Sequence, residues 1–210
     1  MKKFILPLAL GAVVALSSCG DGGGEESEAE EGDSTVVAST EVDLTGLREF
    51  DMSPYDLNVI LYIPEKYYHD VEEQVDKFVQ PVITHNEGEA LWDITMPGDK
   101  NFHMIIEDWG DIEQTIAMEK QAHKDQGDIY EFVYNEEGDD YMLFSRVLKS
   151  DNTTLDPEDV KSLPNHHFYV VKQIDGYYIT AKSYTMQDYY QVSARTMMNC
   201  ARGMKSAKAN

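Results

Sequence analysis

The chain has little positive charge and few cysteines, and both shortages restrict its function. Its 210 residues include 39 acidic and only 17 basic side chains, which gives a net charge of −22. Nucleic-acid binding needs a cationic surface that displaces counterions, so a nucleic-acid partner is excluded. Docking on anionic lipid headgroups is disfavoured for the same reason. The only two cysteines are Cys19 and Cys200.

The chain also lacks an apolar run long enough to span a membrane, which takes about 20 residues. Its longest such run, Phe4 to Leu16, follows Lys2 and Lys3 and has the pattern of a secretory signal. The small residues before Cys19 make residues 1–18 resemble the bacterial lipoprotein signal, or lipobox. The resemblance implies cleavage before Cys19, diacylation of its thiol and acylation of the new N-terminus, with chains such as palmitate. An ordinary signal peptide or an uncleaved anchor remain the alternatives.

A lipidated Cys19 leaves Cys200 as a single thiol, so an intramolecular disulfide framework is excluded. Cleavage removes Lys2 and Lys3 and takes the net charge from −22 to −24. Two or more acyl chains hold a protein stably on a membrane, whereas one chain binds only marginally. The sequence therefore predicts a membrane partner that is contacted through covalent lipid.

Residues 19–47 are predicted to form a disordered acidic tether rich in Gly and Glu. From Gly20 to Asp43 the chain has no basic and no aromatic residue, so it buries too little apolar area to fold. A plain solvated spacer is one interpretation. The acidic run also resembles the surface-export tag of some diderm lipoproteins, and Gly20 is not the Asp that retains lipoproteins at the inner membrane. Both features favour the outer membrane, with the periplasmic or outward face left open.

Residues 48–206 are predicted to be one α+β domain, followed by a tail at 207–210. Alternating apolar positions and turn residues favour an antiparallel, meandering sheet that packs against two or three helices. The Asp175-Gly176 dipeptide is the strongest hairpin signal. Strands are predicted at residues 57–63, 81–85, 90–96, 101–109, 129–134, 141–148, 166–174 and 177–184. A polar loop is expected over 150–165.

Three helices are predicted. Valines at helical spacing favour a short helix over residues 65–79. A second helix is expected to be capped by Asp111, to place Ile112 and Ile116 on its apolar side and to end at Gly127. A final helix is expected to be capped within residues 185–188. Its predicted apolar side consists of Tyr190, Ala194, Met197, Met198, Ala201 and Met204.

The order of these elements resembles the PsbP-like α-β-α sandwich. The resemblance depends on short stretches, listed here: Ser53-Pro54-Tyr55, Asn101 to Ile106, Asp175 to Tyr178, and the terminal helix. It implies a fold that is used by binding and assembly factors. A fold does not assign a function by itself.

No catalytic, cofactor-binding or metal-binding residue is predicted. His103 with Glu107 on the same strand face has the composition of a general base with its carboxylate. Two such residues on one strand are common by chance, so the favoured interpretation is solvent-facing polar positions that alternate with core ones. His166 and His167 are expected at the surface or in a hairpin, and Cys200 is expected to be buried and inert. Residues 136–140 have oxygen ligands but lack the spacing of a calcium loop.

The sequence favours a lipid-anchored, non-catalytic binding or assembly domain of the bacterial envelope, with an unknown envelope protein or ligand as its partner. Two alternatives remain. One is an envelope hydrolase that uses carboxylates and His103. The other is a tethered inhibitor that mimics a polyanion, since residues 48–210 carry 30 acidic and 15 basic side chains.

Overall fold

The computed structural model describes residues 41–65, 68–69, 73–74, 80–149 and 164–208. These residues form, in chain order, β1 (Leu47–Asp51), β2 (Val59–Pro64), β3 (Tyr68–His69), β4 (Glu73–Gln74), β5 (Val82–Asn86), β6 (Leu91–Met96), β7 (Asp99–Asp108), α1 (Ile116–Asp125), β8 (Tyr130–Glu137), β9 (Tyr141–Leu148), β10 (His166–Ile174), β11 (Tyr177–Ser183), α2 (Gln191–Arg202) and β12 (Lys205–Ser206). The leader, Cys19, most of the tether and most of the 150–165 loop lie outside the described residues.

The main sheet has seven antiparallel strands in the order β5-β6-β7-β11-β10-β9-β8. A smaller antiparallel sheet joins β1, β2 and β12, with Lys205 opposite Ile60. The antiparallel pairing is thus confirmed, and the mixture of strands and helices fits the predicted α+β class in part, because strands greatly outnumber the two described helices. The Asp175-Gly176 hairpin is also confirmed. Its two central residues have φ angles of 53° and 89°, as a type I′ turn requires.

The two faces of the main sheet are covered differently. On one face, α2 packs Ala194, Met197 and Met198 into the larger apolar core, which includes side chains from β2 and β10. On the other face, Ile116 of α1 packs with apolar side chains of β9 and β10. Alternation along β10 divides the strand between the two cores, since Phe168 and Val170 belong to the first and Tyr169 and Val171 to the second. We call these two surfaces the α2 face and the α1 face.

The helix predicted over residues 65–79 is wrong where the structure describes this stretch. Tyr68–His69 and Glu73–Gln74 form a short antiparallel pair instead. The prediction depended on the spacing of a few valines, and β-branched residues favour strands over helices. Short apolar runs do not distinguish the two structures by spacing alone.

Both helix starts also differ from the predictions. Thr115, not Asp111, caps α1, because its hydroxyl accepts the Met118 N–H at 3.2 Å. Ile112 therefore precedes the helix, and its side chain is 61% exposed. The cap of α2 is Tyr190, which makes no side-chain cap hydrogen bond and is exposed, so neither the cap within residues 185–188 nor an apolar role for Tyr190 is correct.

The Thr115 cap provides a first test of these helix boundaries. Replacing Thr115 with Ala removes the acceptor of the Met118 N–H and should lower the free energy of unfolding by about 1 kcal/mol. Thr115→Ser keeps the hydroxyl and should stay close to the parent chain. Urea unfolding of the two variants measures the difference, and equal midpoints would contradict the cap.

Candidate functional site

Aromatic and imidazole rings follow one another across the α1 face, and the hydrogen-bonded histidines His103 and His167 are among them. We call His103, Tyr184, His167, Phe144 and Tyr134 the ring row. Strand register aligns its members, since His167 is opposite Phe144 and Phe144 is opposite Tyr134. The Tyr184 N–H donates to the His103 carbonyl at 3.1 Å. Residues far apart in sequence thus come together through the sheet order.

His103, the histidine singled out from the sequence, has a different carboxylate partner from the one proposed. Its Nε2 lies 2.8 Å from Oδ1 of Asp93 on the neighbouring strand β6, and its ring stacks on Tyr184 with centroids 4.2 Å apart. Glu107 is instead bound by the Lys182 ammonium at 2.9 and 3.0 Å. The His103 side chain is only 18% exposed, so the expectation of a solvent-facing position is wrong.

His167 forms a hydrogen-bonded chain that the sequence did not predict. Its Nδ1 lies 3.0 Å from Oγ of Ser183, and its Nε2 lies 3.1 Å from Oδ1 of Asp188. The carboxylate only accepts, so in neutral His167 the Nε2–H donates to Asp188 and Nδ1 accepts from the Ser183 hydroxyl. The sequence of partners is that of a serine–histidine–aspartate triad, but the two ring nitrogens are exchanged, because a triad serine contacts Nε2 and its aspartate contacts Nδ1.

Burial makes this chain a poor catalytic device. Burial, assisted by the positive charge of Arg146, lowers the pKa of His167 from 6.5 to about 4, although Asp188 acts in the opposite direction. A base with so low a pKa accepts a proton weakly at neutral pH. Ser183 is 1% exposed, and its Oγ also accepts the Phe168 N–H at 3.4 Å. The chain therefore works as a clamp between β10, β11 and the loop that holds Asp188.

His123 completes the set of buried imidazoles on this face. Its ring stacks on Phe132 with centroids 4.1 Å apart, and its Nδ1 lies 3.2 Å from the Tyr134 hydroxyl. A cavity of about 60 Å³ separates His123 from His167 and is also lined by Arg146 and Lys182. A cavity of this size holds a few water molecules and is far below the range of about 300–1,000 Å³ that small-molecule sites occupy.

The adjacent histidines of β10 correct another expectation. His166 and His167 are both at most 2% exposed, so the surface role predicted for them is wrong. The period-2 alternation of a strand places adjacent residues on opposite faces of the sheet, but it does not tell which of those faces are covered. Here both faces of β10 are covered, because α2 packs on one face and α1 on the other.

The other candidates have structural partners. Cys200 is fully buried, as predicted, and burial raises the pKa of its thiol. In the 136–140 turn, Glu136 pairs with Arg195, Glu137 with Lys120 and Asp140 with Lys172. In the part of the chain that the structure describes, no three His, Cys, Asp or Glu side chains are grouped so that they could hold a metal ion.

Comparison with protein families, curated proteins and solved structures gives no match to this chain. Neither of the two described helices is long and apolar enough to cross a membrane. A role for the chain has to be argued from its own residues. The residues that sequence reasoning missed are Asp93, Ser183 and Asp188, because each reaches its histidine only through strand register or a loop.

Proposed function

We propose that this chain is a lipoprotein of the bacterial envelope, anchored by acyl chains on Cys19, whose folded part is a non-catalytic binding or assembly domain. The observation that carries the proposal is the order of three segments. A charged and then apolar leader ends in small residues and Cys19, an acidic spacer follows, and the first described strand begins only at Leu47. That order suits a folded unit held at a distance from a lipid surface.

The contacts of the domain support a binding role over a catalytic one. His167 and Cys200 are buried, and the cavity beside His167 has no room for an organic substrate. Helices α1 and α2 cover opposite faces of the main sheet, an arrangement consistent with the resemblance to PsbP-like proteins. That resemblance, with the binding and assembly roles it implies, belongs to the proposal.

An envelope hydrolase is the second candidate, and one observation favours it. The His103–Asp93 pair is short, at 2.8 Å, and the Asp93 carboxylate is 37% exposed, so a general base near solvent is available. No serine or cysteine contacts this pair among the hydrogen bonds of the described residues. A tethered polyanion mimic is also consistent with the excess of acidic residues.

The anchor is tested by replacing Cys19 with Ser. Cells grown with a radiolabelled palmitate precursor should incorporate label into the parent chain and lose essentially all of it in Cys19→Ser. The variant should also leave the detergent phase on Triton X-114 partitioning, because its acyl chains are the proposed hold on the membrane.

Cys200→Ser is the matched control, since Cys200 is the second of the two cysteines and is buried in the domain. It should retain the full label. Label that persists in Cys19→Ser, or that disappears in Cys200→Ser, would contradict the proposed anchor. Fractionation of the labelled parent chain tests the outer-membrane location, and protease treatment of intact cells tests whether the domain faces outward.

A further inference from the structure

A pocket of about 320 Å³ opens at the end of the main sheet, on the side of the small sheet. Its walls come from the start of β2, the end of β7 and the β10–β11 hairpin, and the C-terminal segment reaches it through Lys208. These elements belong to one compact unit. The volume is at the lower end of the range for small-ligand sites, which suits a single long side chain. We call this site the end pocket.

The floor of the end pocket is apolar. Leu57, Val59, Ile174 and Ile179 line it, and all four belong to the larger core with little or no solvent exposure. The half-exposed ring of Tyr177 forms one side. The floor itself exposes little surface, so a ligand that lies against it gains free energy mainly by removing its own apolar surface and that of the Tyr177 ring from water. Its inner part therefore has to be apolar.

The rim of the end pocket carries three carboxylates. Asp108 accepts the Gly110 N–H at 2.8 Å, and no ion pair to it occurs among the described residues. The Asp56 side chain is 82% exposed, and Nδ1 of His85 lies 4.0 Å from one of its carboxylate oxygens. Asp175 is already occupied, because it accepts the Ser206 hydroxyl at 2.8 Å and pairs with the Lys208 ammonium at 3.4 Å. Two carboxylates therefore remain available to a cation.

Lys208 gives an internal example of what the rim accepts. Its side chain is 66% exposed, it is one of the residues that line the pocket, and its ammonium contacts a rim carboxylate. An aliphatic stem with a terminal ammonium thus matches both parts of the site, the apolar floor and the acidic rim. An anionic ligand would be repelled by the net negative charge of the rim. A purely apolar ligand would form no favourable interaction with the rim carboxylates.

We propose that the end pocket binds a lysine side chain from a basic segment of a partner protein, with its stem on Leu57 and Ile179 and its ammonium at Asp108 and Asp56. The acidic excess of the domain attracts such a segment from a distance and raises its rate of association. This inference deepens the proposed binding role by naming the partner's chemistry. It does not depend on the lipid at Cys19.

Three peptides test the two halves of the site separately. The full chain, purified in detergent, is titrated by calorimetry with an acetylated and amidated pentapeptide of four alanines around a central lysine. A second peptide carries norleucine, which keeps the stem and lacks the charge. A third carries diaminopropionic acid, which keeps the charge on a short stem. Each change should weaken binding by about tenfold, since each removes one of the two interactions.

Variants then locate the binding. Asp108→Asn still accepts the Gly110 N–H but lacks the charge, and should weaken the lysine peptide by about tenfold. Asp128→Asn changes the net charge equally at an exposed position outside the pocket and should have little effect. Asp56→Asn, at an exposed turn, repeats the test at a position where folding is not at risk.

Lys208→Ala should strengthen binding of the lysine peptide, because it removes the lysine that already lies at the pocket. Lys124→Ala, at an exposed position of α1, is the control and should not strengthen binding.

Equal affinities for the three peptides would overturn the proposal, because neither the charge nor the stem would then contribute to binding. Equal effects of Asp108→Asn and Asp128→Asn would also overturn it, because they describe non-specific attraction to an acidic protein. The binding assay and the palmitate assay have separate readouts. A chain that is labelled at Cys19 but ignores the lysine peptide refutes the pocket and leaves the anchor intact. The reverse result refutes the anchor and leaves the pocket intact.

Discussion

Acidification from pH 7 to pH 4 is expected to reduce the free energy of unfolding by about 3 kcal/mol through His167 alone. Burial lowers the pKa of His167 in the folded state to about 4, against 6.5 for an unperturbed histidine. Between these values the unfolded chain binds the proton and the folded chain does not. The stability is therefore complete above pH 6.5, declines as the pH falls and reaches its full loss below pH 4.

The groups around His167 explain why its pKa is lowered. Arg146 of β9 adds a positive charge, Asp188 offers a partly compensating carboxylate, and His166 precedes it in β10. The Phe144 ring covers one side, with centroids 5.7 Å apart. A proton on His167 would place a positive charge in a site with little water, where the one carboxylate, Asp188, is half-exposed. Burial therefore has the largest effect on the pKa of His167.

Urea unfolding at several pH values measures this effect. His167→Gln cannot be protonated, so its deficit relative to the parent chain at pH 7 should shrink by about 3 kcal/mol at pH 4. His85→Gln is the matched control, since the His85 ring stacks on Trp92 and its one ion-pair contact among the described residues, Asp56 at 4.0 Å, is 82% exposed. Parallel pH profiles for the parent chain and His167→Gln would show that His167 titrates normally and is not buried as described.

Phe168→Ala should be the most damaging single substitution in the domain, with a loss of about 3–5 kcal/mol. Phe168 is 1% exposed and belongs to the larger core, on a strand paired on both sides. Truncation to Ala removes apolar contacts and leaves a cavity that the neighbouring strands cannot fill. Single domains are stable by about 5–15 kcal/mol, so the loss is a large fraction of the total.

Thermal and urea unfolding measure the effect of Phe168→Ala, and Phe168→Leu should give a smaller loss in the same direction because the cavity is smaller. Ile112→Ala is the control. The sequence pattern placed Ile112 in the core, whereas the structure exposes it, so its truncation should change stability by less than about 0.5 kcal/mol. A large effect of Ile112→Ala would support the sequence pattern over the structure.

Local chemistry was predictable where a few adjacent residues determine the outcome. Asp175 and Gly176 both tolerate the positive φ angles that a type I′ hairpin turn requires, and this turn is present. Phe102, Met104 and Ile106 occupy alternate positions of the predicted 101–109 strand, which places them on one face, and all three are buried in the larger core. The burial of Cys200 followed from its helical spacing to the methionines of α2.

Features that depend on strand order were not predictable. Asp93 reaches His103 because β6 lies beside β7, and no residue near His103 in sequence signals that partner. His167 is buried because Phe144, Ser183 and Asp188, which lie elsewhere in the sequence, pack around its ring, and nothing near His167 in sequence signals this. The predicted Asp111 cap failed for a related reason, since Asp111 and Thr115 are both capping residues and packing of Ile116 on the sheet selects the later start.

The small sheet joins the two ends of the folded unit and so determines when folding is completed. Lys205 pairs with Glu49, which lies 156 residues earlier in the chain, and Ser206 is opposite Val59. Contacts across such a separation require a very long loop to close. While a ribosome still holds residues 205–206, β2 lacks one of its two neighbours. The small sheet is therefore completed only after this segment has left the ribosome.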